Sequence, residues 1–113
     1  MLNAARLRRT NDIAAVRADG HTAREAAFSS RSRPNDLGVV RIAVSAPRNV
    51  GPAVARNRAR RRVREAFRTA VVAARTQRGV DLVVMARREA ISADFPSLRR
   101  WAEAALRSAG VRE

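Results

Sequence analysis

The longest amphipathic stretch of the chain, residues 52–76, reads PAVARNRARRRVREAFRTAVVAART. Proline suits the first position of a helix because the amide hydrogen that it lacks would have no partner there, so a helix is predicted to begin at Pro52. The helix is predicted to run to about Thr76 and to end before Gly79. At about 100° per residue its apolar side chains fall on one arc that is expected to face the core: Ala59, Val63, Ala66, Phe67, Ala70, Val71 and Ala74.

The opposite side of this helix is basic, since residues 56–68 contain seven arginines and one acid, Glu65. A solvated surface helix would normally mix signs, and cations near a helix N-terminus cost ~0.3 to 1 kcal/mol each. A bound anion explains such a cluster better, because helix N-termini favour phosphate. The residues predicted to bind a polyanion are Arg48 in the preceding loop and, on the helix, Arg56, Asn57, Arg58, Arg60, Arg61, Arg62, Arg64 and Arg68.

The overall charge favours the same class of partner. The chain has 113 residues, with 24 basic side chains that are all arginine, 10 acids and a formal charge of +14. This excess opposes compaction unless a polyanion neutralises it. A guanidinium group can meet two phosphate oxygens at once, which favours phosphate recognition, although a codon bias toward arginine is an equal explanation for the missing lysines. The length predicts a single domain, residues 1–113.

Few residues could carry catalysis or hold a metal. The chain has no cysteine and one histidine, His21, which disfavours a zinc site. Its acids are scattered without a close pair for two metal ions, and its isolated glycines lack the spacing of a phosphate-binding loop. We therefore expect no catalytic side chain, no metal ligand and no small-molecule substrate. The lack of cysteine and of a long apolar run predicts a cytoplasmic protein without a membrane segment.

Two more helices are predicted. One covers Thr10–Asp19, with Thr10 or Asn11 as the cap and Gly20 as the stop. The other is capped by Asp94 and runs through Ser108. Its apolar stripe consists of Phe95, Leu98, Trp101, Ala102, Ala105 and Leu106.

Three segments have the patterns of strands. Ala26–Arg33 and Val39–Ala46 are predicted to pair as an antiparallel hairpin, because apolar and polar residues alternate in the second of them. Val80–Ala86 is almost continuously apolar, as in a strand that is buried on both faces. The residues of the predicted turn between the first two strands are Pro34, Asn35, Asp36 and Gly38.

The arginine-asparagine-arginine run of residues 56–68 resembles the signature helix of the bacterial ribonuclease P protein family. The similarity covers nearly the whole chain, including residues 6–7, 11–12, 41–45, 50–51 and 81–87. It implies an α+β fold, namely a single-domain α/β sandwich of the order α-β-β-β-α-β-α. The implied sheet is four-stranded and mixed, with a left-handed β-α-β crossover as in ribosomal-protein-like folds. The segment His21–Ala23 would then be the first short strand.

The resemblance also implies a function. The chain would be the RNA-binding protein subunit of a ribonucleoprotein endonuclease whose catalytic RNA cuts precursor tRNA to leave a mature 5′ end. Mg2+ would be bound mainly by the RNA and not by the protein. The single-stranded 5′ leader would lie in a cleft along the sheet, where this sequence has Ile13, Arg17 and Arg31 at positions that relatives fill with aromatics and keeps only Phe28 as an aromatic nearby. Periodicity alone favours a core position for Phe28, so both interpretations stay open.

Two alternatives fit parts of the sequence. A ribosomal-type or generic structural RNA-binding protein would share the charge and the salt dependence of binding. A DNA-binding module would need a recognition helix with base-reading side chains, whereas an all-arginine face contacts phosphate and does not read sequence. Cleavage of precursor tRNA separates the first alternative from the ribonuclease P interpretation.

Overall fold

The computed structural model describes residues 4–73 and 79–110. Within them the chain forms one five-stranded sheet with helices on both faces. The elements in chain order are β1 (Ala4–Arg6), α1 (Thr10–Asp19), β2 (His21–Arg24), β3 (Phe28–Pro34), β4 (Val40–Ser45), a 3-10 turn (Arg48–Val50), α2 (Ala53–Ala73), β5 (Val80–Ala86), α3 (Glu89–Ser92) and α4 (Phe95–Ser108).

The last strand in the chain, β5, lies in the middle of the sheet, whose order is β1-β4-β5-β3-β2. It pairs in parallel with β4 and antiparallel with β3. The short β1 extends the sheet beyond β4, also in parallel, and β2 closes the other edge against β3. Since β4 and β5 are parallel neighbours, the chain must return from the end of β4 to the opposite end of the sheet before β5 begins, and α2 lies in this crossover connection. The left hand of this crossover stays a prediction.

The main core lies between the sheet and the two long helices. From the sheet it includes Phe28, Val40, Ile42, Leu82 and Val84, and α2 and α4 contribute the rest. The rings of Phe28 and Phe67 lie 5.2 Å apart at a tilt of 57°, a favourable aromatic geometry. On the other face α1 forms a smaller cluster with the sheet, whose buried members are Leu7, Val16 and Val83.

Several predictions from the sequence are confirmed. The helix α2 buries the predicted apolar arc from Ala59 to Val71, while Ala74 and the predicted end of the helix at Thr76 lie outside the described residues. The strand Val80–Ala86 has its predicted bounds, and His21–Arg24 forms the implied short strand. The helix α4 has its predicted stripe on the core side, and its cap is the carboxylate of Asp94, which accepts a hydrogen bond from the backbone N–H of Ser97 at 3.1 Å.

Other predictions are wrong in detail. The predicted four-stranded sheet has five strands, because residues 4–6 add an edge strand too short to have a pattern of its own. The helix α1 begins at Thr10, after Arg9, and neither Thr10 nor Asn11 caps it with its side chain. Gly20 does follow the last residue of α1, as predicted. The short helix α3 was not predicted, since four residues carry no measurable periodicity.

The predicted hairpin between β3 and β4 is also wrong, because β5 lies between these strands. The turn residues instead wrap around the beginning of β5. The N–H of Asn35 donates to the carbonyl of Gly79 at 3.0 Å, and the N–H of Val80 donates to the carbonyl of Val39 at 3.1 Å. A strand with apolar side chains on both faces buries the most surface when it lies in the centre of a sheet. The strand β5 therefore pairs with both β3 and β4, and these two strands do not pair with each other.

A buried ion pair joins these strands beneath α1. Arg41 on β4 donates from Nε and Nη2 to the two carboxylate oxygens of Asp81 on β5, each at 2.7 Å. Asp12 of α1 lies 3.4 Å from the same guanidinium, and Asn35 donates to Asp81 at 2.7 Å. The pKa of Arg41 is raised mainly by its hydrogen bonds to Asp81. This network connects α1, two central strands and the loop between β3 and β4.

The described part of the chain contains no helix with both the length and the apolar character that crossing a membrane requires.

Replacing Asp81 with alanine is expected to destabilise the protein, because the side chain of Arg41 is only 21% exposed and would lose its main partner. Removing one partner of a buried pair costs up to about 3 kcal/mol in free energy of unfolding, and Asp12, which stays 3.4 Å from Arg41, should reduce this cost; urea denaturation measures it. The matched control is Glu103→Ala, which breaks the more exposed pair with Arg99 and should cost at most about 1 kcal/mol. Equal losses for the two variants would contradict the structural role of the Arg41–Asp81 pair.

Candidate nucleic-acid interface

The basic residues of α2 fall into three groups by their surroundings. Asn57, Arg58, Arg61 and Arg68 are exposed along the outer side of the helix. Arg56, Arg60 and Arg64 are half-buried along a border of the helix whose C-terminal part faces β1, where Arg64 and Arg68 line a small hollow with Ala5 and Arg6. Arg62 is half-buried on the opposite border, which faces α3. The apolar arc against the sheet fixes this arrangement, because it sets the rotation of the helix.

The border toward β1 gathers positive charge without a counter-charge among the described residues. Arg56, Arg60 and Arg64 are spaced four residues apart and therefore lie on one line of the helix. Burial lowers the pKa of Arg64, and the charges of Arg6 on β1 and of Arg60 lower it further. The Nε of Arg56 is buried and has no hydrogen-bond partner among the described residues. Repulsion of this kind favours a bound anion.

The outer side of α2 is only partly engaged within the protein. Arg60 donates to the side-chain carbonyl of Asn57. Arg68 donates twice to Glu65, at 2.9 and 2.6 Å, and these bonds lower the pKa of that carboxyl below its usual range. Arg61 makes no hydrogen bond to another described residue. The only acid of this surface thus neutralises its C-terminal end and leaves the N-terminal turns positive.

Arg62 differs from its neighbours, because its guanidinium group turns toward the protein. Nη1 donates to the carbonyls of Ala90 and Ile91, each at 2.8 Å, and Nη2 donates to the carbonyl of Ala93 at 2.5 Å. Of the arginines predicted to receive phosphate, Arg62 is therefore the one whose donors are largely occupied. The prediction that Arg62 is a simple phosphate contact needs revision for this reason.

Arg48 lies in the 3-10 turn just before α2, and its side chain is exposed. The next turn depends on Gly51, whose φ of 143° is a conformation that side chains rarely adopt. This glycine redirects the chain so that Pro52 and α2 follow directly. The turn that carries Arg48 therefore leads directly into the positive first turns of α2.

A second basic surface lies on the sheet face that α1 leaves open. A hollow of about 660 Å³ has four arginines in its lining, from α1, β2, β3 and the end of β5. A hollow of about 530 Å³ adjoins it toward the 3-10 turn and shares Ser29, Met85 and Arg87 with it. We call the two together the sheet groove. The arginines that line it are Arg17, Arg24, Arg31, Arg87 and Arg88.

The structure places the four residues predicted for the leader cleft in three different surroundings. Arg17 and Arg31 both line the sheet groove, and Arg31 also donates to the carbonyl of Arg17. Ile13 lines a separate shallow hollow along α1, next to Arg17. Phe28 is a correction, because its side chain is fully buried against Phe67 on the opposite face of the sheet and cannot stack on a base. The core interpretation of Phe28 is the right one.

Sequence reasoning missed part of the groove. Arg24, Met85, Arg87 and Arg88 were not singled out, although all four line it. Alternation could have revealed Arg24 and Met85, since both fall on the same face of the sheet as Arg31 and Val83. The position of Arg88 depends on the unpredicted helix α3, so no pattern in the sequence indicated it.

No three His, Asp or Glu side chains come together as a metal site within residues 4–73 and 79–110. The carboxylate pair that does come together, Asp12 and Asp81, is engaged by Arg41. Arg41 thus already supplies the positive charge that these two carboxylates face.

Comparisons with known proteins indicate the family and the fold to which the chain is similar. The family model named Ribonuclease P matches residues 1–110. The ribonuclease P protein component of Roseiflexus sp. (strain RS-1) is 38% identical over 98% of this chain and 90% of its own length. That of Chloroflexus aurantiacus is 39% identical over 96% of this chain and 80% of its own. The solved ribonuclease P protein of Thermotoga maritima superimposes with a TM-score of 0.74 at 26% identity, covering 96% of this chain and 98% of that one.

Replacing Glu65 with glutamine is expected to strengthen binding of structured RNA, because the change removes one negative charge and one of the two acceptor oxygens that hold Arg68. The salt dependence should steepen by about 0.7 to 0.9 in log-log slope if Arg68 gains one phosphate. Filter binding at several salt concentrations measures both quantities.

The matched control is Glu103→Gln on α4, which changes the net charge equally but releases Arg99. The same steepening in both variants would mean that net charge alone, and not the surface of α2, governs binding. The contribution of the Glu65–Arg68 pair to stability also depends on pH, and the sign of this dependence follows from the pKa of Glu65. Because the folded-state pKa of Glu65 is lowered, its pair with Arg68 is intact above the ordinary range of a glutamate and is lost as pH falls through the lowered value.

Proposed function

The chain belongs to the ribonuclease P protein family, and we propose that it binds the catalytic RNA of a ribonuclease P through α2 and the 5′ leader of precursor tRNA through the sheet groove. The observation that carries the proposal is the line of half-buried Arg56, Arg60 and Arg64, beside which the described residues place no acid, and the effect of burial and of Arg6 and Arg60 on the pKa of Arg64, which they lower. A stripe of this kind costs stability in the free protein and gains it back when phosphates approach.

The surface of α2 suits a folded RNA backbone better than a base sequence. Its side chains are almost all guanidinium groups, which pair with phosphate oxygens and carry little base information. The residues proposed to contact the catalytic RNA are those predicted from the sequence except Arg62: Arg48, Arg56, Asn57, Arg58, Arg60, Arg61, Arg64 and Arg68.

The sheet groove suits a single strand. It is open along its length and basic, and Met85, which is 46% exposed, gives its floor an apolar surface. Arginine planes stack on bases as well as meeting phosphates, so a groove without aromatic side chains can still hold an unpaired strand. The proposed leader contacts are Arg17, Arg24, Arg31 and Arg87, with Ile13 at the margin.

The chemistry of cleavage is proposed to belong to the RNA. Mg2+ held by the catalytic RNA would activate the attacking water and stabilise the leaving oxygen of the phosphodiester. The protein contributes by binding and orientation, since correct placement of the substrate can supply a large part of a rate enhancement. The crossover that positions α2 is proposed to be left-handed, as the family resemblance implies.

Reconstitution tests the proposal. Adding the protein to a bacterial ribonuclease P RNA and precursor tRNA at low magnesium is expected to stimulate correct 5′ cleavage. Binding to the RNA should weaken with salt at a log-log slope of about −4 to −5, as expected for six phosphate contacts. Binding without any stimulation, at any protein ratio, would instead support a generic structural RNA-binding protein.

The leader groove can be tested separately. The variant Arg24→Ala removes an exposed arginine of β2 from the groove. It is expected to weaken binding of precursor tRNA by about tenfold, the value of one charge-assisted contact, and to leave binding of mature tRNA unchanged. The control is Arg99→Ala on α4, which removes the same charge outside the groove. An equal loss for both RNAs, or an equal loss in the control, would contradict a leader contact at Arg24.

A further inference from the structure

Arg62 donates most of its hydrogen bonds to its own protein, whereas the adjacent Arg61 of α2 is exposed to solvent. Its two terminal nitrogens donate three hydrogen bonds of 2.5 to 2.8 Å to the carbonyls of residues 90, 91 and 93. Arg58, one turn earlier, adds a longer bond of 3.4 Å to the carbonyl of Ile91. By contrast Arg61, the adjacent residue, is exposed.

These carbonyls need a partner. The helix α3 has four residues and ends where Ala93 adopts an extended conformation, so the carbonyls at its end find no donor in a following turn. A cation is the favoured partner at such an end, since it meets the partial negative charge of the carbonyl groups. A planar guanidinium can meet several of them at once because its donors diverge in a fixed fork.

The bonds also restrict what Arg62 can do toward RNA. Three of its five N–H groups point at carbonyl oxygens, and a phosphate would have to displace them to gain a paired contact. Displacing the guanidinium would leave those carbonyls without a donor, which costs free energy wherever they are shielded from water. Arg61 has no such competing bonds among the described residues and can bind phosphate at lower cost.

The segment that Arg62 holds leads directly to the sheet groove. Residues 87–89, just before the clamped carbonyls, line the end of the groove near the 3-10 turn. Arg88 donates to the carbonyl of Asn49 at 3.3 Å, and the N–H of Arg87 donates to the carbonyl of Ala27 at 2.8 Å. The side chain of Ala90 is fully buried. Residues 87 and 88 are thus anchored at one end by the carbonyls of Ala27 and Asn49 and continue at the other end directly into α3, which Arg62 holds against α2.

We propose that Arg62 is a positioning residue, which fixes α3 against α2 and thereby places Arg87 and Arg88 at the end of the sheet groove for a single strand of RNA. Arg62 then connects the surface that binds the catalytic RNA with the surface that binds the substrate strand. The inference rests on the proposed function for the identity of that strand, whereas the clamp itself rests on the hydrogen bonds to α3.

The test compares Arg62→Ala with Arg61→Ala, which remove the same charge from adjacent positions of one helix. Three quantities are measured: the salt slope of binding to the catalytic RNA, the ratio of affinities for precursor and mature tRNA, and the hydrogen exchange of the backbone amides of residues 87–94. Affinities are corrected for the folded fraction found by denaturation. If the alanine variant fails to fold, Arg62→Gln keeps the methylene stem and supports the same comparisons.

For Arg61→Ala we expect a salt slope shallower by about 0.7 to 0.9 and an unchanged affinity ratio. For Arg62→Ala we expect an unchanged slope, faster exchange in residues 87–94 and an affinity ratio lower by about tenfold, the value of one charge-assisted contact. A slope for Arg62→Ala as shallow as that of Arg61→Ala would overturn the proposal, since Arg62 would then be a phosphate contact. An unchanged affinity ratio would overturn it as well, because the clamp would then serve stability alone.

Failure of the proposed function would look different. In that case the wild-type protein would show no preference for precursor over mature tRNA. The slope and the exchange rates, which require only a structured RNA that the chain binds, would still decide whether Arg62 contacts phosphate or holds α3.

Discussion

The central strand β5 is the constraint on which the rest of the structure depends. It pairs with β3 on one side and with β4 on the other, and its side chains toward α2 and α4 are almost completely buried. On the other face, exposure rises along the strand from 7% at Asp81 and 9% at Val83 to 46% at Met85, because α1 covers only the first part. The open groove is thus a consequence of a helix shorter than the sheet face on which it packs.

The parallel pairing of β4 with β5 has a second consequence. Two parallel neighbours require a crossing connection, and the helix in that connection is held with one side against the sheet and the other toward solvent. The rotation of α2 is set by its apolar arc, which includes Val63 and Phe67. Its arginines cannot therefore turn away from solvent as a group. The orientation of the candidate interface toward solvent therefore follows from the packing of the apolar residues on the other side of the same helix.

The elements that the sequence predicts well are those whose signal is local. Periodicity is sufficient for α2 and α4, and continuous hydrophobicity is sufficient for β5. Strand pairing is not local, and the turn residues from Pro34 to Gly38 indicate a reversal of the chain without indicating which strand lies next to β3. Two strands joined by five residues would normally pair, but β5, which begins 35 positions after the end of β4, takes the place between them. The edge strand β1 and the helix α3 are too short for any pattern to stand out.

The residues of the candidate site also differ in whether a local pattern in the sequence could predict their roles. The exposed arginines follow from the helical repeat, so their grouping was predictable. The roles of Arg62 and Phe28 were not, because the first depends on carbonyl groups about thirty positions away and the second on which face of β3 meets α2. A sequence with arginine as its only long basic residue hides this difference, since arginine serves as an ion-pair partner at Arg41, as a partner of backbone carbonyls at Arg62 and as a free cation at Arg61.

The positions of the acids explain why the arginines on the border of α2 toward β1 have no ion-pair partner among the described residues. Asp12 and Asp81 bind Arg41, Glu103 pairs with Arg99, and Asp94 caps α4, where its hydrogen bonds to Ser97 lower the pKa of the carboxyl. None of these carboxylates neutralises the border of α2 toward β1. A ligand that binds the folded chain there stabilises it by mass action, since the unfolded chain does not hold the same charges together. Substitutions that relieve this repulsion should therefore stabilise the isolated protein and weaken its assembly with RNA, because one set of charges determines both.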